Sequence, residues 1–265
     1  MILTHKERIS FELRALYSQN GFNFFRMPRF EEYDFYADKK EFLSSKSILT
    51  FTDADGRLMA LRPDVTLSLI KHSAPGKYHY CENVYRVPDN ETTFREVAQS
   101  GIEITGGIGA NEMREVIMLA VKSLEKVSDG RRYILAIADA KQILQASQGL
   151  NLSKFLDCIT HKNIHGLKEL NAPRKLIELA EHNGDIASSG LLSVKMSEIL
   201  RGLEEYYEKM RVDYSVAENV KYYSGIVFKG YIEGVPEAVL SGGEYNIMST
   251  EGAGFAVYLE RICDD

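Results

Sequence analysis

Three arginines stand beside strand-like segments rather than on solvated helix faces: Arg86 closes YCENVYR, Arg95 opens REVAQSGIE, and Arg261 lies in the final GFAVYLER. A guanidinium fork suits phosphate or carboxylate, and Arg86 and Arg95 flank one loop, so the two are placed to clamp a single anion. Odd-numbered residues from Arg95 to Glu103 share one strand face, which presents Arg95, Gln99 and Glu103 with a gap at Gly101. Polar side chains at alternate positions beside a bare backbone suit the floor of a small-molecule site, although a solvent-exposed sheet face would read the same way. Asp64 and Thr66 in LRPDVT offer an ammonium acceptor and a hydroxyl, or a helix N-cap and its neighbour. Tyr222 and Tyr223 precede Ser224-Gly225 and an alternating strand, IVFKGYIEG, while Ser241-Gly242-Gly243-Glu244-Tyr245 closes a later one. Paired aromatics beside glycines are also common in core and turns. His161 and His165 have the spacing of a metal pair on a helix, but no third ligand accompanies them and Asn163 and Gly166 weaken that helix, so no metal is expected. The sequence holds no GxxxxGK[ST] loop, no GxGxxG after a strand and no GxSxG elbow.

The elements that must position these groups follow from patterning. Thr4 and Glu7 have capping-box spacing, and Ile9, Leu13, Leu16 and Tyr17 recur at helical intervals until Asn20-Gly21. An extended segment, FNFFRMPRFEEYDFY, is followed by a hairpin in which Ile48 to Thr52 and Arg57 to Leu61 flank Asp53-Ala54-Asp55-Gly56. Arg62-Pro63 must be extended or turning, and a helix starts behind it at Asp64 or Thr66. Tyr78 to Arg86 and Arg95 to Thr105 form a long hairpin around VPDNETTF. From Asn111 the pattern turns helical, with Met113, Val116, Ile117, Ala120, Val121 and Leu124 on one face. RRYILAIAD interrupts it as a strand, and further helical stretches run to a stripe of Met196, Ile199, Leu200, Leu203, Tyr207 and Met210. Strands return from Val212. The expected fold is α+β: a core of residues 1–110 and 212–265, split by a mainly helical insertion over 111–211.

Composition sets limits on function. The 265 residues are 45% hydrophobic and 26% charged, which excludes disordered, fibrous and disulfide-stapled classes. With 32 basic residues against 38 acidic ones the net charge is −6, the opposite of a dedicated polyanion binder, which relies on Lys and Arg. Cys81, Cys158 and Cys263 are odd in number and far apart, so a reducing, cytoplasmic setting is expected. No apolar run approaches the ~18 residues of a membrane span.

In order and spacing, these segments resemble histidyl-tRNA synthetase and its paralogues, of the class II aminoacyl-tRNA synthetase fold, over nearly the whole chain. The matching parts are the opening helix, a motif-1-like FRMPRFEEYDFY, LRPDVT, a motif-2-like strand pair from Tyr78 to Gly106, the YYSG and GGEY segments, and a motif-3-like GFAVYLER. The resemblance implies an antiparallel sheet flanked by helices, and ATP phosphates held at Arg86 and Arg261. It also implies an L-histidine pocket lined by Asp64, Thr66, Gln99, Glu103, Tyr222 and Tyr223. In it, Asp64 would accept from the ligand ammonium, with Glu103 and Tyr223 addressing the imidazole.

Two departures bear on activity. The synthetases carry a catalytic arginine shortly before the tyrosine pair; here Glu218 aligns there, with Lys221 nearby. Reversing a charge at ~4 Å from a phosphate is worth several kcal/mol at an effective dielectric of about 20. Adenylation depends on such charge stabilisation and is therefore expected to fail. Apart from the two departures themselves, the implied ATP site is also affected, since the loop residues Asp89 and Glu91 are acidic where the synthetases are rich in basic residues. The sequence also ends four residues after Arg261, where the synthetases continue into an anticodon-binding domain. Both departures match the paralogue group of regulatory subunits that serve the short-form ATP phosphoribosyltransferase catalytic subunit. The resemblance then implies no catalysis of the chain's own and no cofactor, with L-histidine as ligand. It further implies a homodimer through Phe25 to Tyr36 within a hetero-oligomer, no tRNA partner and no membrane. An amino-acid-adenylating enzyme that lacks the anticodon-binding domain is the alternative.

Overall fold

The computed structural model describes residues 3–38, 43, 48–87, 92–186, 192–217 and 222–262. Asp89, Glu91, Glu218, Lys221 and Cys263 lie outside the described residues. Helix α1 (His5–Gln19) begins with the capping box that the sequence predicts: the Glu7 N–H donates to the Thr4 hydroxyl at 3.2 Å, and the Thr4 N–H donates to the Glu7 carboxylate at 2.8 Å. Its buried stripe is Ile9, Leu13 and Tyr17.

Short strands β1 (Asn23–Phe24) and β2 (Phe30–Glu32) and a single turn of helix, α2 (Asp34–Ala37), come next. The predicted hairpin forms as β3 (Thr50–Thr52) and β4 (Leu58–Leu61), and β2 joins it to make a three-stranded sheet, β2-β4-β3. Then follow α3 (Val65–His72) and the long hairpin β5 (Gly76–Arg86) and β6 (Arg95–Thr105). The next stretch holds α4 (Ala110–Val127), β7 (Tyr133–Asp139), α5 (Ala140–Ala146), α6 (Leu152–Thr160), α7 (Ile164–Glu169), α8 (Arg174–Glu181), β8 (Asn183–Asp185), α9 (Val194–Leu200) and β9 (Met210–Asp213). Strands β10 (Tyr223–Ile232), β11 (Leu240–Ile247) and β12 (Thr250–Tyr258) close the fold.

The main sheet has nine strands in the order β1-β5-β6-β12-β11-β10-β7-β9-β8. It is antiparallel from β5 through to β7, with parallel pairings at β1/β5 and β7/β9. Alternation along β6 divides its faces. Ala98, Ile102 and Ile104 enter the large core with α1 and α4, whereas Gln99 and Glu103 point to the opposite face, where α3 lies. Apolar area is buried on both faces of this central sheet, which stabilises the strands that carry the site.

Residues 111–211 are rich in helix and share one hydrophobic core with the rest of the fold: α4 packs on the sheet, β7 pairs with β10 and β9 pairs with β7. One expectation about this stretch changes: the stripe from Met196 to Met210 is not one helix. Gly202 adopts φ 94°, a left-handed conformation open to glycine, and ends α9; a 3-10 turn over Glu204–Lys209 follows, and Met210 begins β9. Met196, Ile199, Leu200, Leu203 and Met210 are nonetheless buried, because each piece keeps its apolar side toward the sheet.

Candidate functional site

Glu103 is the centre of the site. It is 3% exposed on β6, and each carboxyl oxygen has one donor: the Thr66 hydroxyl of α3 to Oε1 at 2.7 Å and the Tyr245 hydroxyl of β11 to Oε2 at 2.8 Å. Burial dominates and pushes its pKa up to about 8, against the two hydrogen bonds and with a small further rise from the charge of Asp64. Two glycines of β12 make room for this arrangement. A Cβ at Gly254 would come 2.3 Å from Glu103 Oε2, and one at Gly252 would come 2.2 Å from the Tyr245 ring.

Asp64 takes the helix-cap role. Its Oδ1 accepts the Leu67 N–H at 2.8 Å and caps α3, which brings Thr66 to Glu103. Burial raises its pKa, opposed by the Leu67 N–H, by the positive charge of Arg86, and then by the Thr66 N–H and Arg62. Gln99 is 6% exposed on the same strand face, between Glu82 of β5 and Tyr258 of β12 on its rung. The exposed-face reading of Gln99 and Glu103 is therefore excluded.

Tyr222 and Tyr223 pack edge to face with centroids 5.0 Å apart, and Tyr222 also lies 6.3 Å from the Tyr245 ring. Burial raises the pKa of all three phenols, and the charge of Glu103 adds to it in each case, so they remain neutral donors and acceptors. Two carboxyl groups within a tyrosine wall form a site for a cationic or hydrogen-bonding ligand.

The predicted gap at Gly101 is filled. The end of the Tyr80 side chain from β5 lies over it, so that a Cβ there would be 2.6 Å from the Tyr80 hydroxyl and 2.0 Å from the Phe255 carbonyl oxygen. Gly101 thus admits a tyrosine of the neighbouring strand rather than a ligand. Arg86 and Arg95 are direct partners on the β5/β6 ladder, on the same face as Glu103; Arg86 is half-buried and Arg95 exposed. Arg261 is already engaged: it pairs with Glu237 at 2.8 Å, donates to the Ala238 carbonyl and stacks 4.5 Å above the Tyr258 ring. An anion at Arg261 must compete with Glu237. His161 caps the C-terminal end of α6, while His165 lies on α7 and pairs with Glu169, so the two do not share a helix. Tyr245, Tyr80 and Tyr258 are site residues that patterning missed; the glycine pair before Glu244-Tyr245 was the available signal.

The family model described as "Histidyl-tRNA synthetase" matches residues 3–262. The chain belongs to the histidyl-tRNA synthetase family. Among curated relatives of this synthetase-family chain, one from Clostridium novyi (strain NT) is 26% identical over 297 residues, covering 96% of this chain and 70% of its own length. Another, from Bacillus anthracis (strain CDC 684 / NRRL 3495), is 24% identical over 275 residues, covering 91% of this chain and 66% of its own length. Both are named ATP phosphoribosyltransferase regulatory subunit. The chain thus spans about two thirds of the length of such relatives. A solved Bacillus halodurans chain, described as an ATP phosphoribosyltransferase regulatory subunit/histidyl-tRNA synthetase, superposes with TM-score 0.80 at 22% identity, over 98% of this chain and 79% of that one. A Thermotoga maritima chain from an "ATP phosphoribosyl transferase (HisG:HisZ) complex" gives TM-score 0.75 at 20% identity, over 97% and 98%. The fold is that of the class II aminoacyl-tRNA synthetases, as expected. Among the described residues, no helix is long and apolar enough to cross a membrane.

Proposed function

We propose that this chain is a regulatory subunit without catalysis of its own, which binds and activates the short-form ATP phosphoribosyltransferase catalytic subunit in the first step of histidine biosynthesis. The observation that carries the reading is the name shared by curated relatives that match more than nine tenths of the chain. The sequence adds Glu218 at the place of the synthetases' catalytic arginine, which argues against adenylation.

L-histidine is the ligand that suits the site. Its ammonium would meet Asp64, with Thr66 and Gln99 alongside, and its imidazole would meet Glu103 and Tyr223. Feedback requires that histidine bind the inhibited assembly more tightly than the active one, by a coupling of ~1–3 kcal/mol in typical cases. A homodimer through the segment from Phe25 to Tyr36 suits the exposure of Phe30, 59%, within that segment. A cytoplasmic setting belongs to the same reading.

Histidine titration calorimetry together with histidine-dependent ATP–pyrophosphate exchange tests the proposal on the purified chain. Binding without exchange is expected. Robust exchange would replace this reading with that of an amino-acid-adenylating enzyme.

A further inference from the structure

Glu244 precedes Tyr245 on β11, so its side chain points to the sheet face opposite Glu103. It is 4% exposed, yet it carries a carboxylate. Its Oε2 accepts the Ile226 N–H at 3.1 Å and the Lys195 ammonium of α9 at 2.6 Å. Its Oε1 is buried without a partner among the described residues, so Lys195 is the cation that compensates this charge. Burying a carboxylate in this way is unfavourable unless it is paired, which gives the arrangement a purpose to be found.

The place where the carboxylate inserts supplies that purpose. Pairing of β10 with β11 slips between Tyr223 and Val227: Tyr223 stands opposite Tyr245, but Val227 stands opposite Gly243. Four residues of β10 therefore span two of β11, a bulge that re-aims the strand end carrying the tyrosine pair. The Glu244 carboxylate takes up an N–H inside that bulge. It fits only because residue 225 is glycine, since a Cβ there would lie 1.7 Å from Oε2.

We propose that Glu244 and Lys195 are positioning residues: the ion pair pins the β10 bulge to α9 and so sets where Tyr222 and Tyr223 wall the Glu103 pocket. This rests on the reading of that pocket as a histidine site. Lys195 is 37% exposed in its side chain and its ammonium pairs with Glu244, on the sheet face opposite Glu103, so its effect on the ligand runs through Glu244 and the bulge.

The test compares Lys195→Met, Lys195→Arg and the double variant Lys195→Met/Glu244→Gln in the full chain. Amide hydrogen exchange over residues 222–228 is followed without ligand, and L-histidine affinity by calorimetry. Lys195→Met is expected to speed exchange at Ile226 by ~10-fold or more while α1 and β5 keep their protection, and to weaken histidine ~10-fold. Lys195→Arg keeps the charge and restores both. The double variant removes the uncompensated carboxylate and keeps an acceptor for Ile226, and is expected to recover the exchange protection only in part, because nothing then ties the bulge to α9; full recovery would overturn the ion-pair clamp. Unchanged Ile226 exchange in Lys195→Met, a uniform loss of protection along the chain, or failure of Lys195→Arg to restore it would overturn the clamp. If the wild-type chain binds no histidine, the pocket reading fails, and the ligand-free exchange pattern still decides the clamp.

Discussion

Tyr245 on β11 donates its hydroxyl to Oε2 of Glu103 on β6 at 2.8 Å, joining residues 142 apart in sequence at the centre of the site. Because Glu103 is 3% exposed, the contact that is lost with the hydroxyl cannot be replaced freely by water. Tyr245→Phe is predicted to lower stability by ~1–3 kcal/mol, read from urea unfolding. It should also raise the Glu103 pKa further, because the lost hydrogen bond favours the ionised form.

The raised pKa of Glu103 sets a pH dependence on the alkaline side. The folded chain holds this proton to about pH 8, whereas an unfolded carboxyl loses it near 4.5. The resulting stability is fully present below the unfolded value and is lost as pH rises through the folded one. Urea midpoints are predicted to fall over that interval, and Glu103→Gln should flatten the fall.

His79 acts with the opposite sign. It is 1% exposed between Tyr17 and Phe24, its Nε2 meets the Ser18 hydroxyl at 3.0 Å, and burial followed by the charge of Arg14 lowers its pKa from 6.5 to about 4. The unfolded chain binds the proton first, so stability present above 6.5 is lost as pH falls through about 4. Replacing His79 with glutamine is predicted to reduce the slope of stability against pH on the acid side, measured by thermal unfolding.

Much of this site is legible in the sequence. The Thr4/Glu7 cap, the hairpin around Asp53 to Gly56 and the shared face of Gln99 and Glu103 all follow from spacing within one segment. What stayed hidden depends on neighbours distant in sequence. Tyr80 fills the space above Gly101 because β5 lies beside β6. Glu237 captures Arg261 from the turn between β10 and β11. Tyr245 reaches Glu103 only because Gly252 and Gly254 clear its path. Periodicity likewise could not tell that β7 and β9 extend the sheet, or that Gly202 turns left-handed and breaks the stripe from Met196 to Met210.

Arg62 is the structural counterpart of the site carboxylates. Its side chain is 0% exposed, pairs with Glu82 at 2.8 Å and donates to the carbonyls of Pro28 and Asn83, tying the segment before α3 to β5. Removing one member of a buried pair leaves the other uncompensated. Arg62→Met is predicted to lower stability by ~3–5 kcal/mol in urea unfolding, with loss of the Asp64 cap geometry reported by faster amide exchange at Leu67.

The most direct measurement of the central claim is reconstitution with a short-form ATP phosphoribosyltransferase catalytic chain, scored by phosphoribosyl-ATP formation with and without L-histidine. Product is predicted to form only when both chains are present, to fade as histidine is added, and to resist histidine when this chain carries Glu103→Ala while the complex stays assembled. A catalytic chain that makes product equally well alone, and neither binds nor responds to this one, would contradict the account.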